Sequence, residues 1–359
     1  MAIVLTNGRT LHDVGPQLNS LFALLYSQGT FDESAFQAAA FDYFNTHSNP
    51  DPFVFNFGPA ALPRPLTTVL GLRLWDFVLR VLNEWEAAHP GQRLHKGGAY
   101  YFAGIADIVM GNLTRGFLYI HKAALEDEAT YGRGRTPAVA FITLDSRMQD
   151  QAFKKRVEAY SRYLQQRLKS YRRFRAGQLT LPQLRACFER HPQLREPLFA
   201  LAYSVARLHE MEASQIRIVT DTELGRLALS EILLGLALVV EALLLDRYAP
   251  LVTGRAPTIV PLAAQYARAR GLPVEHTLPT LSTRFRHSFD TTMRTVSHGG
   301  TPAGVAPLSP RELDLAVAVG LRNHAAHGLV RSQLVAADFD LLVRRLFYVL
   351  FALIENCYP

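Results

Sequence analysis

The sequence predicts an all-α protein. Apolar residues recur at helical spacing along most of the 359 residues, while the alternation of apolar and polar residues that marks a strand is scarce. The best strand candidate is "AVAFITLD", 138–145, and it can also continue as a helix into the residues that follow. Hydrophobic residues make up 49% of the chain and charged residues 19%, which is the composition of a globular protein with a sizeable core.

The chain length favours two parts. Residues 1–215 are expected to form a helical region and residues 216–359 a bundle of four or five helices. The start, 1–65, is the least regular stretch, and its proline-rich and aromatic segment 47–65 is expected to be an ordered connector. The helices of the first part are expected near 66–89, 97–109, 113–127, 147–175 and 192–215.

One helix pair in the first part has a particular spacing of small residues. Within 99–126, small or apolar residues stand where a tetratricopeptide-type hairpin places them, and "GN" at 111–112 makes the turn. Small residues let two antiparallel helices approach closely. Three clean copies are lacking, so an ordinary helical hairpin is the alternative to a repeat-like region. The spacing residues are Gly104, Gly111, Gly116, Ile120 and Ala123.

The most apolar stretch, 227–248, is predicted to be a buried core helix. Glu231 and Glu241 interrupt it and leave an apolar run of nine residues, 232–240, whereas a membrane span needs about 20. No membrane association is therefore expected. Asp221 is the expected N-cap of this helix.

A second helix start is predicted before the last polar cluster of the chain. Ser309 is the candidate N-cap, Pro310 the first helical residue and Glu312 the third, the pattern of a capping box.

The charge balance favours an anionic partner. The net charge is +7, which points to nucleic acid ahead of an acidic membrane surface, although a merely basic soluble protein has the same balance. The two cysteines, Cys187 and Cys357, stand apart without CxxC neighbours, so neither a disulfide framework nor a zinc site is expected and a reducing cytoplasm fits. No glycine-rich phosphate loop and no HExxH occurs, so no metal or cofactor is expected. The first residues lack a basic region followed by a long apolar run, so no signal peptide is expected.

Two basic segments are candidates for RNA contact. The segment 153–175 carries nine Lys or Arg and one Glu, interleaved with aromatic residues, and 281–298 carries a second basic strip. Positive charge pairs with phosphates and aromatic rings stack on bases, but a solvated helix with inward aromatics has the same pattern. The candidates are Lys154, Lys155, Arg156, Arg172, Arg173, Arg175, Arg284, Arg286 and His287.

The polar cluster lies in "GLRNHAAHGL", 320–329. Arg322 and His327 lie about 140° apart around an ideal helix, but Gly328 ends the helix, so His327 occupies a final turn in which its side chain can swing. A phosphate near this end could meet the Arg322 cation, the Asn323 amide and a titratable histidine. His324, two residues after Arg322, is the second candidate.

Such a set can cut RNA without a metal. The ribose 2′-hydroxyl attacks phosphorus, and the reaction needs a base, an acid and a cation for the phosphate oxygens. One histidine does not readily serve as acid and base together, whereas two copies across a dimer axis could.

The segment "LRNHAAHGL" resembles the Arg–polar–x–x–x–His signature of the HEPN superfamily, the higher eukaryotes and prokaryotes nucleotide-binding domains. The resemblance covers about residues 218–359 and implies a helical bundle that, as a homodimer, cleaves RNA without a metal in a prokaryotic defence or toxin-like system. It makes Arg322, Asn323 and His327 the motif residues. A looser Arg–His spacing, lacking the Asn, also occurs at Arg115–His121, Arg185–His191 and Arg270–His276.

Two other interpretations stay open. In a non-catalytic scaffold that binds RNA or a regulatory protein, Arg322 would pair with an acid such as Glu231 or Asp314, and both histidines would lie on the surface. In a regulator, the same Arg322 and histidine would hold a small nucleotide.

Overall fold

The computed structural model describes residues 2–4, 10–58, 69–149, 151–213, 222–252, 258–325 and 332–358. Over these ranges it contains seventeen α-helices and one two-stranded antiparallel sheet, which confirms the all-α class. The chain divides into two compact units, residues 1–158 and 159–359.

The first unit begins with the small sheet, in which Ala2 lies opposite His12 and Ile3 opposite Leu11. Seven helices follow before the helix α8, Gln151–Arg175, in which the division between the units falls. The elements are β1 Ala2–Val4, β2 Thr10–His12, α1 Pro16–Gln28, α2 Glu33–Thr46, α3 Asp51–Phe55, α4 Val69–Ala88, α5 Gly97–Val109, α6 Leu113–Tyr131 and α7 Pro137–Ile142.

The first 58 residues are more regular than the sequence suggested. Helix α1 ends at Gly29, whose φ of 70° only glycine adopts readily, and α2 starts where the side chain of Asp32 accepts from the amide of Ala35. The expected connector contains α3, while residues 59–65 lie outside the described residues. The aromatic core explains the order: Phe22 meets Phe36 edge to face with ring centroids 5.1 Å apart, and both are buried.

The strand candidate 138–145 is wrong, because its first part is the helix α7. The side chain of Thr136 accepts from the amide of Val139, and Pro137 stands at the first helical position. These two helix-start signals explain why the segment forms a helix, although its run of β-branched and aromatic residues suggested a strand.

The expected helical hairpin is confirmed in α5 and α6. A Cβ added to Gly104 would lie 2.5 Å from Cγ1 of Ile120, and one added to Gly116 would lie 2.5 Å from Cγ1 of Ile108. The two helices therefore lie too close for a side chain to fit at either glycine without a shift. Gly111, with a φ of 90°, supplies the turn.

The second unit is built on three helices, α11, α15 and α17, that pack against one another. The helices that cover α15 are short, because glycine, proline and serine residues interrupt the chain between 258 and 310. The order along the chain is therefore the expected one: a long helix, then shorter helices, then the motif helix, and finally a second long helix. The helices are α9 Leu181–Arg190, α10 Arg195–Ala213, α11 Glu223–Tyr248, α12 Ile259–Ala269, α13 Leu278–His287, α14 Phe289–Ser297, α15 Pro310–Ala325, α16 Gln333–Ala337 and α17 Phe339–Cys357.

The division at 158/159 differs from the expected boundary at 215/216. Helix α10 packs against α11, so residues before 215 belong to the core of the second unit. The expected cap Asp221 lies outside the described residues, and the side chain of Thr222 caps α11 by accepting from the amide of Gly225.

The segment Glu223–Leu251 is long and apolar enough to cross a membrane by length and composition alone. Within its most apolar window, 56% of the residues are buried against the rest of the chain, as in the core helix of a globular unit.

Candidate functional site

The polar cluster lies at the end of α15, which positions it. The helix begins with the expected capping box: the amide of Ser309 donates to Glu312, and the Glu312 amide lies 3.4 Å from the Ser309 hydroxyl. About three and a half turns later the helix reaches Arg322, three residues before its last described residue, Ala325. His327, the second half of the motif, lies in 326–331, outside the described residues.

Arg322 pairs with an acid of the core helix. Its Nε lies 2.6 Å from Oε2 of Glu241, and its side chain stays 30% exposed while that of Glu241 is 13% exposed. Glu241 is one of the two acids that interrupt the apolar run of α11. Glu231 and Asp314, the partners named from the sequence, pair with other arginines.

The ion pair leaves part of the Arg322 guanidinium available. Within the described residues its one hydrogen bond is made through Nε, so the two terminal nitrogens keep their donors. A carboxylate that holds one edge of a guanidinium fixes its direction, and the other edge can then meet an anion.

The other two motif side chains turn to different neighbours. The Asn323 amide donates to the hydroxyl of Ser282 on α13 at 3.0 Å, and His324 stacks on Phe289 of α14 with ring centroids 3.8 Å apart. Arg322, Asn323 and His324 therefore reach three different helices and do not converge on one point.

The basic candidates separate into inward and outward side chains. Arg156 donates to the carbonyl of Ile108, and Arg175 bonds Asp314 through Nη2 at 2.9 Å, so both are held by internal partners. Lys154 and Arg284 are half-buried. The exposed candidates are Lys155, Arg172, Arg173, Arg286 and His287.

Sequence analysis missed the buried arginine Arg345. Its Nη1 lies 2.7 Å from Oδ1 of Asp314, and its Nε donates to the carbonyl of Ser297. Asp314 thus joins two guanidinium groups, from α8 and α17, inside the second unit. The available signal was an arginine pair, Arg344 and Arg345, within the otherwise apolar middle of helix α17.

A cleft of about 560 Å³ opens beside this network. It lies at the start of α17, where His298 pairs with Asp338 at 3.1 Å. Within the described residues its lining mixes acids with arginines and includes none of Arg322, Asn323 and His324.

The first unit contains a histidine held between two carboxylates. Nε2 of His95 lies 3.0 Å from Asp127 and Nδ1 lies 3.6 Å from Asp51, with the hydroxyl of Tyr131 also 3.3 Å from Nδ1. Burial alone would lower the pKa of His95, but the bonds to Asp127 and Asp51 outweigh it and raise that pKa to about 9. The cluster is a charged contact between α3, α6 and His95, which stands two residues before α5.

Similarity to known proteins adds nothing to the interpretation of these side-chain clusters. Comparison with protein-family models, with curated proteins and with solved structures finds no match to this chain.

Proposed function

We propose that the second unit is a metal-independent endoribonuclease of HEPN type that works as a homodimer. Arg322 binds the phosphate to be cleaved, and His327 serves as acid and base in the two copies. Asn323 supports the helix end through Ser282. The observation that carries the proposal is the pairing of Arg322 with Glu241, which fixes the guanidinium at the end of α15 and leaves it part-exposed.

The chemistry follows from these groups. One histidine takes the proton of the ribose 2′-hydroxyl, whose oxygen then bonds phosphorus. The bond from phosphorus to the 5′-oxygen breaks, and that oxygen takes a proton from the second histidine. The products are a 2′,3′-cyclic phosphate and a 5′-hydroxyl. Arg322 stabilises the charge that develops on the phosphate oxygens.

The test is cleavage of total RNA by the purified full chain in EDTA. We expect the wild type to cleave, and Arg322→Ala and His327→Ala to lose at least about a hundredfold in rate, the usual cost of removing one catalytic group. Because Ala also leaves Glu241 without its partner, Arg322→Lys is added, which keeps the charge but loses the paired geometry.

Matched controls come from the same unit. Arg268→Ala removes another arginine from an ion pair with a glutamate, that of Glu275 at 3.0 Å, and His276→Ala removes a histidine that is 79% exposed. Both should cleave like the wild type. Equal cleavage by every variant would identify a contaminating nuclease and contradict the proposal.

A second candidate is a non-catalytic scaffold that binds RNA. The internal contacts of the motif favour it. Arg322 bonds Glu241, Asn323 bonds Ser282, and His324 stacks on Phe289. RNA retained by the wild type and by Arg322→Ala, without cleavage by either, would select it.

A further inference from the structure

Helix α8 has two opposite faces in the second unit. At about 100° per residue, Arg162, Lys169 and Arg173 fall within about 40° of one another around the helix axis. All three are exposed. They form a line about 16 Å long, which we call the α8 stripe.

The acids that contact α8 bind its other face. Glu210 and Glu212 of α10 accept from the hydroxyls of Tyr160 and Tyr163, and Glu355 of α17 accepts from Tyr171. Within the described residues, no ion pair or hydrogen bond reaches the side chains of the α8 stripe. Arg167 and Arg175, on the acid-binding side, pair with Glu212 and Asp314.

An exposed aromatic ring lies beside the last cation of the stripe, about 100° further around the helix axis. Phe174 is 54% exposed, and the guanidinium of Arg173 lies 5.2 Å from its ring centre. Two more cations approach the same helix from its neighbours. Arg185 donates to the hydroxyl of Ser161, and Arg311 donates to the carbonyl of Arg175.

We propose that the α8 stripe and Phe174 form a binding track for single-stranded nucleic acid. Unneutralised cations in a line match the phosphates of a strand, and an exposed ring next to them can stack only on a base that is unpaired. The track is separate from the end of α15 and binds whether or not the chain cleaves RNA.

The test is the binding of the full chain to a fluorescein-labelled 2′-O-methyl oligouridylate, followed by fluorescence anisotropy over a range of salt concentrations. This probe lacks the 2′-hydroxyl nucleophile, so a failed nuclease proposal does not affect the result. The variant Arg162→Gln/Lys169→Gln/Arg173→Gln should weaken binding and lower the slope of log K against log salt by about 2, near 0.7 for each lost phosphate contact.

The control replaces three exposed arginines outside both basic segments of the unit, Arg247→Gln/Arg268→Gln/Arg344→Gln, and removes the same charge. It should bind nearly as the wild type does. Phe174→Ala should weaken binding about tenfold with an unchanged salt slope, because stacking is lost and no charge is. All variants change exposed side chains, and circular dichroism checks their fold.

Three outcomes would overturn the track. The first is a stripe variant that binds like the wild type, and the second is an equal loss in the stripe and control variants. The third is that the chain does not bind the oligonucleotide but binds phosphatidylserine vesicles through the stripe. The surface would then be a membrane contact.

Discussion

His95 is held by two carboxylates that stand far from it along the chain, and this contact makes part of the stability depend on pH. Its pKa rises from 6.5 to about 9 on folding, so the folded state binds the proton more tightly than the unfolded state. The resulting stabilisation is fully present below about pH 6.5 and is lost as the pH rises through 9.

We therefore expect His95→Gln to destabilise the chain more at low pH than at high pH. The free energy of unfolding lost by the variant should shrink by about 3 kcal/mol between about pH 6 and about pH 9.5, since each pKa unit corresponds to about 1.4 kcal/mol. Urea unfolding at both values measures it. His276→Gln, at an exposed position, should show no such change, and a loss for His95→Gln that is constant with pH would contradict the prediction.

The ion pairs of the second unit differ in how deeply their side chains are buried. Asp314 and Arg345 are 3% and 8% exposed, whereas Glu231, paired with Arg207, is 53% exposed. Asp314→Asn leaves the buried guanidinium of Arg345 and the half-buried one of Arg175 without their counter-charge and should cost about 3 kcal/mol of unfolding free energy. Glu231→Gln should cost under about 1 kcal/mol. Equal costs in urea unfolding would show that burial does not set these energies.

The candidate site was predictable in part, for a physical reason. The start of the motif helix follows from local sequence, because the capping-box residues Ser309 and Glu312 are neighbours along the chain, whereas the expected helix end at Gly328 lies outside the described residues. The partners Glu241, Ser282 and Phe289 lie on other helices, 81, 41 and 35 residues away, and no local pattern encodes them. The cluster of His95 was missed for the same reason.

At the scale of elements, the hairpin of α5 and α6 depends on two glycines that let the helices touch. An added methyl group at Gly104 would meet the backbone carbonyl of Gly116 at 2.8 Å, and a backbone atom does not yield as a flexible side chain does.

We expect Gly104→Ala to destabilise the chain by about 1 to 3 kcal/mol through overpacking, despite the better helix propensity of alanine. Gly235→Ala is the matched control, because its Cβ would lie 3.4 Å from Oγ of Ser204, within ordinary contact. That control should be neutral or stabilise by up to about 1 kcal/mol. Thermal melting compares the two, and a stabilised Gly104→Ala would show that the helices can move apart.

The same two helices show which elements a sequence reveals. Long periodic segments with glycine turns were predicted closely, the observed bounds of α5 being those expected and α6 ending at 131 instead of 127. The helices α1 to α3 were missed, because proline and glycine separate them and aromatic contacts between them order them more than their own periodicity does.

At the scale of the whole molecule, the boundary between the units was the harder feature to predict. The helical pattern of α8 continues across 158/159 without a glycine or proline, so local sequence gives no sign of a division there. The sequence instead marks 216–221, where composition changes. Which helices share a core depends on contacts between distant residues, and α10 joins α11 across that apparent break.

Two compact units, each with its own buried core, should unfold in more than one step, because a chain with several cores departs from two-state behaviour. Calorimetry of the full chain should therefore resolve two transitions. Near neutral pH, His95→Gln should lower the midpoint of one and Asp314→Asn that of the other, each by several degrees, given about 2 to 4 °C for every kcal/mol in units of this size. His276→Gln should move neither. If both substitutions instead lowered one shared transition, the two cores would be a single cooperative unit, and the division at 158/159 would have no thermodynamic meaning.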